Sequence, residues 1–171
     1  RPELAAEVTA ALEAAAFPAS ALTVEVTEDT LLRDASAVAA AFGAINALGV
    51  GIVLDRFGSG QASIAALRRF RLRGVKLDPA LVTAGDRETS ALLPALMGIA
   101  SALSLPLAAA GVETEVQRAR VQAMGCTEAQ GPHFAQPLDA AAAAELLAQG
   151  AGALPRLQPA LARVPSTPTS P

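Results

Sequence analysis

The sequence contains few aromatic residues, and it has no tryptophan or tyrosine at all. Aromatic residues make up 3% of the 171 positions, whereas hydrophobic residues of all kinds make up 52%. The core must therefore be built from leucine, valine, isoleucine and closely packed alanine, which suits helices that pack tightly on a sheet. A chain of this length can bury a substantial core, so we expect one main domain.

Positive charge and cysteine are also scarce. Lysine and arginine number 13 against 16 aspartate and glutamate residues, which gives a net charge of −3. The chain therefore has no basic field for a nucleic-acid polymer, and we expect it to bind none. The single cysteine, Cys126, cannot form an internal disulfide. We expect it to be a small buried hydrophobe in a protein of the reducing cytoplasm.

Two uncharged segments, residues 35–54 and 91–112, reach the roughly 20 residues that span a bilayer. Asn46 interrupts the first segment, Pro94 and Pro106 interrupt the second, and alanine is the commonest residue of both. Alanine contributes little to membrane insertion, and each segment divides naturally into a helix, a turn and a strand. We therefore expect no membrane insertion.

Helical and strand-like segments alternate along the chain. The sequence predicts strands at residues 22–26, 51–54, 74–77, 106–109 and 127–129, and helices at residues 3–16, 34–48, 61–70, 88–103, 115–124 and 139–148. The strands are continuous apolar runs, which is typical of parallel strands covered on both faces. This pattern predicts an α/β fold with about five parallel strands, too few to close an eight-stranded barrel. Residues 150–171 are rich in proline and predict an extended or disordered tail.

Polar side chains interrupt or follow the strands in each of these units. Because the carboxyl ends of parallel strands converge on one rim, where sites form, these side chains predict a common site. Taken singly, each is also compatible with a solvated loop charge or a helix cap. The residues concerned are Glu25, Asp55, Arg56, Lys76, Glu113 and Gln130.

Five fragments, in this order and at these spacings, carry a family resemblance: LTVEVTED, LGVGIVLDRFGSGQASIAAL, GVKLD, LPLAAAGVETEVQ and GCTEAQGPHFAQP. Together they resemble the EAL domain of bacterial cyclic di-guanylate phosphodiesterases, over about residues 2–147. The resemblance implies a modified TIM barrel that binds two Mg or Mn ions and linearises cyclic di-guanylate. Residues 1–149 would then form a partial TIM-like (β/α) barrel that begins after the family's first three strands.

The sequence retains part of the site that the resemblance implies. Glu25 matches a metal-ligand glutamate, and Asp55 matches the first aspartate of the Asp-Asp-Phe-Gly motif. Lys76 matches a lysine that the family places near the attacking water. Gln130 and Gly131 match the Gln-Gly pair near the end of the domain.

Residues that shape the neighbouring loops are retained as well. Glu28 matches the glutamate that holds the loop after the aspartates, and Gly58 and Gly60 keep the glycines of that loop. Glu113 matches the second glutamate of the family's Ala-Glu-Gly-Val-Glu motif. We expect these four residues to anchor the loops around the site.

Several acidic ligands of the family are replaced or missing. Arg56 stands where the family has its second aspartate, and Ala110 stands where it has a metal-binding glutamate. The Glu-Ala-Leu signature and the asparagine ligand do not occur in these 171 residues. A pair of Mg²⁺-like ions needs several anionic oxygens, and a guanidinium nearby repels them. We expect Arg56 to pair with Asp55 or Glu25, since arginine suits carboxylates.

These observations predict a catalytically inactive, metal-free EAL-like domain that acts as a regulatory or interaction module in cyclic di-guanylate signalling. Glu25 and Asp55 would be vestigial metal ligands, and Lys76 and Gln130 vestigial catalytic residues. Arg56 and Gly131, together with Lys76 and Gln130, would be the contacts of any bound cyclic di-guanylate.

Two alternatives remain open. The domain could be a metal-dependent phosphodiesterase whose missing ligands come from upstream sequence or a partner subunit. It could also be a purely structural dimerisation module. A protein partner or a homodimer is expected in either case, because a partial barrel leaves open sheet edges and uncovered apolar side chains.

Overall fold

A single five-stranded parallel sheet organises the fold. The structure is a computed structural model, and it describes residues 3–32, 34–60, 64–84 and 87–149. The sheet has the order β1-β2-β3-β4-β5, and every neighbouring pair is parallel. Its strands are β1 (Thr23–Thr27), β2 (Gly51–Phe57), β3 (Gly74–Leu77), β4 (Leu107–Ala109) and β5 (Glu128–Ala129). The predicted α/β fold with five parallel strands is confirmed, and the described part of the sheet is not closed.

Eight helices connect and flank these strands in the described part of the chain. They are α1 (Leu4–Ala15), α2 (Glu28–Leu31), α3 (Ala35–Ala47), α4 (Ile64–Arg69), α5 (Pro79–Thr83), α6 (Arg87–Ala102), α7 (Glu115–Ala123) and α8 (Ala140–Ala148), with a 3-10 turn at Ala19–Ala21. All six predicted helices are present. The first three residues of the predicted helix 61–70, and the predicted tail 150–171, lie outside the described residues.

Side-chain caps explain where three of the longer helices begin. The Asp34 carboxylate accepts hydrogen bonds from two backbone N–H groups in the first turn of α3. Thr114 and Gln117 form a reciprocal capping box at the start of α7, and Asp139 caps α8. Each cap satisfies backbone donors that the first helical turn leaves without partners, which fixes the position at which the chain enters the helix.

The hydrophobic core lies between the central strands and the helices. Ile52 and Leu54 of β2 and Val75 and Leu77 of β3 are almost completely buried. Cys126, just before β5, is buried as predicted. Burial raises the pKa of its thiol to about 11, because the charged thiolate is disfavoured away from water. The cytoplasmic location that this cysteine suggested stays a prediction.

The expectation that every strand is covered on both faces is wrong for β1. Its residues alternate between exposed and half-buried positions, and Thr23, Glu25 and Thr27 are the exposed ones. Val24 and Val26 point to the opposite face, where α3 packs. All four residues of β3, in contrast, are buried. We call the sheet face that carries Glu25, Val53, Lys76 and Ala108 the polar face.

None of the described helices combines the length and the apolar character that crossing a bilayer requires.

Candidate functional site

Lys76 lies at the centre of the polar face, on the middle strand of the sheet. Its residue exposure is 6%, so the ammonium group is largely removed from water. The Nζ atom donates a hydrogen bond to Oε1 of Glu25 on β1, and a second to Oε1 of Gln130, at 3.2 Å, just after β5. Val53 and Ala108, which line the same face, are small enough to leave room for these side chains. The fold therefore brings three sequence-predicted site residues into one hydrogen-bonded group.

A cavity of about 310 Å³ extends from this group along the polar face. Arg73 and Glu128 line it in addition to Glu25 and Lys76. The Nη1 atom of Arg73 donates to the backbone oxygen of Ser20 at 2.8 Å, which fixes the guanidinium at the amino-terminal end of the sheet. Arg73 and Glu128 were not predicted as site residues. Both residues lie beside or within short strands, and alternate strand residues share one face. This alternation could have placed them on the polar face.

Asp55 and Arg56 lie in a distorted part of β2. Asp55 pairs in register with Thr27, and Glu25 pairs with Val53, so the two carboxylate residues are close neighbours on adjacent strands. The β2–β3 register shifts between residues 54 and 57, and Arg56 there has a φ of +56°. Such a bulge inserts one extra residue and turns its side chain out of the regular alternation.

The expected pairing of Arg56 with Asp55 or Glu25 is not found. Glu25 pairs with Lys76 instead, and Arg56 is exposed and makes no ion pair with any residue that the structure describes. Arg56 lies where the strand register is irregular and has a positive φ, so its side chain departs from the regular alternation of the strand. Arg56 is therefore accessible to an anion from solvent.

Glu28 holds the loop that follows β2. It is the first residue of α2 and is 3% exposed. Its Oε1 accepts a hydrogen bond from the Gly58 N–H, and its Oε2 accepts one from the Ser59 hydroxyl, both at 2.9 Å. Gly58 has a φ of +93°, and a Cβ there would lie 2.7 Å from the Leu81 side chain. The positive φ is the reason that glycine is favoured at this position. Gly60 also has a positive φ, of +107°.

The ladder of backbone hydrogen bonds continues beyond β4 and β5 and positions Gln130. The Gln130 N–H donates to the oxygen of Ala109 at 2.9 Å, and the Val112 N–H donates to the oxygen of Gln130 at 3.1 Å. Gly131 follows with a φ of +152°, and a Cβ there would lie 2.2 Å from the Val112 oxygen. The close approach of the Val112 backbone thus requires glycine at position 131. Ala110 is buried at the end of β4 and carries no side-chain oxygen.

Glu113 and Glu115 lie on the rim beyond β4. The backbone N–H of Glu113 donates to Gln117, but its exposed carboxylate has no hydrogen-bond or ion-pair partner within the described ranges, so its predicted anchoring role stays a prediction. The Glu115 carboxylate binds Arg118 through two hydrogen bonds and lies 3.2 Å from the Nε2 of His133. The bonds from Arg118 lower the pKa of Glu115.

The described polar face offers few ligand atoms for a pair of metal ions. Glu25 is bonded to an ammonium, Asp55 is followed by Arg56, and Ala110 offers no ligand atom. Among the residues that the structure describes, no three of histidine, cysteine, aspartate or glutamate lie together as a metal site would require. A side-chain cation and a second unit positive charge about 4 Å apart repel each other by about 4 kcal/mol at an effective dielectric constant near 20. For a divalent metal ion at the same distance the repulsion is roughly twice as large.

A protein-family comparison identifies the fold. Residues 1–137 match the model of the EAL domain family. The chain belongs to the EAL domain family. The resemblance that the five sequence fragments carried is confirmed.

This EAL domain is similar to curated proteins of Pseudomonas aeruginosa. It is 36% identical over 123 residues to the bifunctional diguanylate cyclase/cyclic di-GMP phosphodiesterase MucR. The aligned region covers 71% of this chain and 18% of MucR. It is also 36% identical over 150 residues to the cyclic di-GMP phosphodiesterase NbdA, covering 86% of this chain and 19% of NbdA. The chain spans about a fifth of the length of these relatives.

Solved EAL structures have the same architecture. The PaMucR phosphodiesterase, solved in a c-di-GMP complex, superposes with a TM-score of 0.78 at 34% identity, over 82% of this chain and 58% of that one. The EAL domain of Mycobacterium smegmatis DcpA superposes with a TM-score of 0.79 at 25% identity, over 86% and 67%. The predicted TIM-like (β/α) arrangement of five parallel strands with flanking helices is therefore confirmed.

Proposed function

We propose that this EAL domain is a catalytically inactive module that binds cyclic di-GMP without metal ions and acts in signalling through that ligand. The observation that carries the proposal is the accessible Arg56 where the family has its second aspartate, together with the buried Ala110 where it has a metal-binding glutamate. Arg56 brings a fixed positive charge directly after Asp55, and Ala110 offers no ligand atom. Cyclic di-GMP enters the proposal because the relatives MucR and NbdA are named cyclic di-GMP phosphodiesterases.

Loss of hydrolysis follows from the chemistry of the retained residues. Two-metal hydrolysis activates a water molecule and stabilises the leaving oxygen by means of the ions, which acidic ligands must hold. Arg56 is a fixed cation because arginine does not lose its proton in proteins. A buried alanine at position 110 cannot supply a ligand. Both residues lie inside the chain, so no additional segment can reverse these two substitutions.

Ligand binding is a separate property, and the same positive groups favour it. The phosphodiester groups of cyclic di-GMP are anionic, and a guanidinium binds phosphate oxygens through parallel N–H donors. Arg56 presents such a fork near the carboxyl end of β2, just before the loop that Glu28 holds. Lys76 and Gln130 add polar atoms on the adjacent polar face, and the close packing at Gly131 fixes Gln130.

Calorimetric titration of cyclic di-GMP, with and without Mg²⁺ or Mn²⁺, tests the proposal when it is combined with product analysis. We expect binding that chelation of metal ions leaves unchanged, and no linear product. The R56A variant should weaken binding by about tenfold or more, since a charged hydrogen bond contributes roughly 1.5–3 kcal/mol. R68A is the matched control, because Arg68 is an exposed arginine on α4. Linear product from the unmodified chain would refute the inactivity.

A metal-dependent cyclic di-GMP phosphodiesterase is the second candidate, and the names of the relatives favour it. The same titration separates the two functions. Metal-dependent binding followed by turnover supports the enzyme, and its ligands would then have to come from residues other than those at positions 56 and 110. Absence of any heat on mixing would instead support a purely structural module.

The module would transmit its state through a protein partner or a second copy of itself. β1 and β5 are the edge strands of the described sheet, and each leaves one row of backbone groups without a neighbouring strand. Such edges pair readily with another strand. We expect cross-linking or light scattering of the whole protein to reveal this contact, and a dilute monomer that is stable on its own would contradict it.

A further inference from the structure

We propose that the amino-terminal end of the sheet carries a separate binding site, which takes a phosphate group beside Arg71 and Arg73. Arg73 directly precedes β3, whereas Arg56 lies near the carboxyl end of β2, so the two sites are at opposite ends of the sheet. The inference therefore does not depend on the proposed function. Free inorganic phosphate and the phosphate group of a nucleotide share this chemistry, and titration with each distinguishes them.

Positive charge is concentrated before β3, although the chain as a whole is acidic. Residues 56–77 contain six arginine and lysine residues and no aspartate or glutamate. Four of the six are exposed arginines, Arg68, Arg69, Arg71 and Arg73. None of these four makes an ion pair with any residue in the described ranges. Such a group of like charges creates a local positive potential that attracts anions.

A cavity of about 370 Å³ brings two of these arginines together at the amino-terminal ends of the strands. Arg71 and Arg73 both line it. Its other walls include Ser20, Asn46 and the turn at residues 49–51. Among the residues that the structure describes, no carboxylate lines this cavity, so an anion there would meet no like charge on its walls. Two arginines in one concave site can both bind phosphate oxygens, because each guanidinium offers parallel N–H donors.

Arg73 is held in position by contacts within the protein. Its Nη1 atom donates to the backbone oxygen of Ser20 at 2.8 Å. A Cβ at Gly51 would lie 2.5 Å from the Cδ atom of Arg73, so the glycine leaves room for this side chain to lie across the start of β2. A guanidinium has several N–H donors, and the bond to Ser20 uses one of them. The site is therefore partly ordered before an anion binds, which lowers the entropy cost of binding.

Arg71 is positioned through its backbone, and its side chain has no partner among the described residues. The Asn46 amide donates to the Arg71 backbone oxygen at 3.1 Å. Neutralisation of the negative end of α3 is the simpler explanation for an arginine here. However, the last carbonyl groups of α3 already accept hydrogen bonds from the N–H groups of Leu48 and Gly49. The helix end thus does not require the Arg71 side chain, and we assign it to the anion.

Phosphorus nuclear magnetic resonance can follow the titration of the unmodified chain with inorganic phosphate and with AMP. We expect saturable binding that weakens as salt is added, because salt screens exposed charges. R71A should weaken binding by at least about tenfold, since it removes charged hydrogen bonds. R71K should fall between the two, because it keeps the charge but loses the planar fork. R68A is the matched control: it removes the same charge from α4, outside the cavity, and should leave the affinity nearly unchanged.

Tighter binding of AMP than of inorganic phosphate would identify a nucleotide as the ligand, and equal or weaker binding of AMP would identify free phosphate. Adenosine, which has no phosphate, should not bind. Three results would overturn the inference: no saturable binding of either probe, equal binding of AMP and adenosine, or equal losses in R68A and R71A. Far-UV circular dichroism checks the fold of each variant, and R71K provides the test if R71A does not fold. Cyclic di-GMP binding is measured separately, so each of the two proposals can fail alone.

Discussion

Replacement of Glu28 by alanine is a direct test of how this fold holds the loop beside the candidate site. The Glu28 side chain is buried, and its two oxygens accept hydrogen bonds from Gly58 and Ser59, each at 2.9 Å. E28A removes both acceptors together. The exposed Ser59 hydroxyl can then bond to water, whereas the Gly58 N–H is partly shielded from it.

The expected loss of stability follows from these two bonds. A hydrogen bond to a charged group contributes roughly 1.5–3 kcal/mol net, and we assign this value to the Gly58 bond. The Ser59 bond contributes about 0.5–1 kcal/mol, because water competes for its exposed partner. Together they predict a loss of about 2–4 kcal/mol in the free energy of unfolding. For a chain of this size the melting temperature should fall by roughly 5–15 °C.

Urea unfolding followed by far-UV circular dichroism measures this loss. S59A should cost no more than about 1 kcal/mol, since it removes the weaker bond alone. E28Q should fall between the two, because its amide oxygen can still accept the bond from Gly58. E13A is the matched control, a glutamate on the exposed surface of α1. The reasoning would be refuted if E28A and E13A had the same midpoint.

Three further predictions concern backbone, pH and core. G131A should destabilise the fold by at least about 2 kcal/mol in urea unfolding, because its Cβ would lie against the Val112 backbone; a neutral effect would show that this turn can shift. Because burial raises the pKa of Cys126, the folded state holds the thiol proton up to about pH 11, above the unfolded value. The free energy of unfolding should therefore fall between about pH 8.5 and 11, and C126A should reduce this slope; identical slopes would contradict the assignment. L54A should lower the free energy of unfolding by about 2–5 kcal/mol, because Leu54 is 0% exposed. L147A should lower it by less than about 0.5 kcal/mol, because Leu147 is 80% exposed. Similar losses in the two variants would mean that the core lies elsewhere.

The strands were predictable because each is a short apolar run followed by a polar residue or a turn. β3 has the same bounds in the sequence analysis and in the structure, residues 74–77. β2 was predicted to end at residue 54, but it extends to Phe57. The difference arises from the bulge, which keeps Asp55 and Arg56 in the strand although their charges suggested a loop.

Short helices were not predictable in the same way. α2 and α5 contain four and five residues, which is too short for a helical repeat of apolar positions to be visible. α5 did carry a local signal, since Asp78 caps it and Pro79 occupies its first turn. Such a pair also begins many turns, so the sequence alone did not separate the two outcomes.

The site residues were predictable as a group, but their pairing was not. Position at the strand ends was sufficient to place Glu25, Lys76 and Gln130 on one rim. Which carboxylate meets which cation depends on the register of strands that are distant in sequence, and on the bulge at Arg56. Arg73 was missed for a related reason, because it lies at the opposite end of β3 from the rim.

The bond network of Lys76 also has a mechanical consequence. In a flat sheet with strands roughly 4.8 Å apart, the first and fifth strands would lie about 19 Å from each other, beyond the span of three side chains that meet at one atom. Lys76 on the third strand nevertheless reaches β1 and the residue after β5 together. The sheet is therefore curved, and the two hydrogen bonds of the ammonium connect its two outer strands across the concave face. A force or a binding event that displaces β1 would therefore also change the position of Gln130, through the bonds of Lys76.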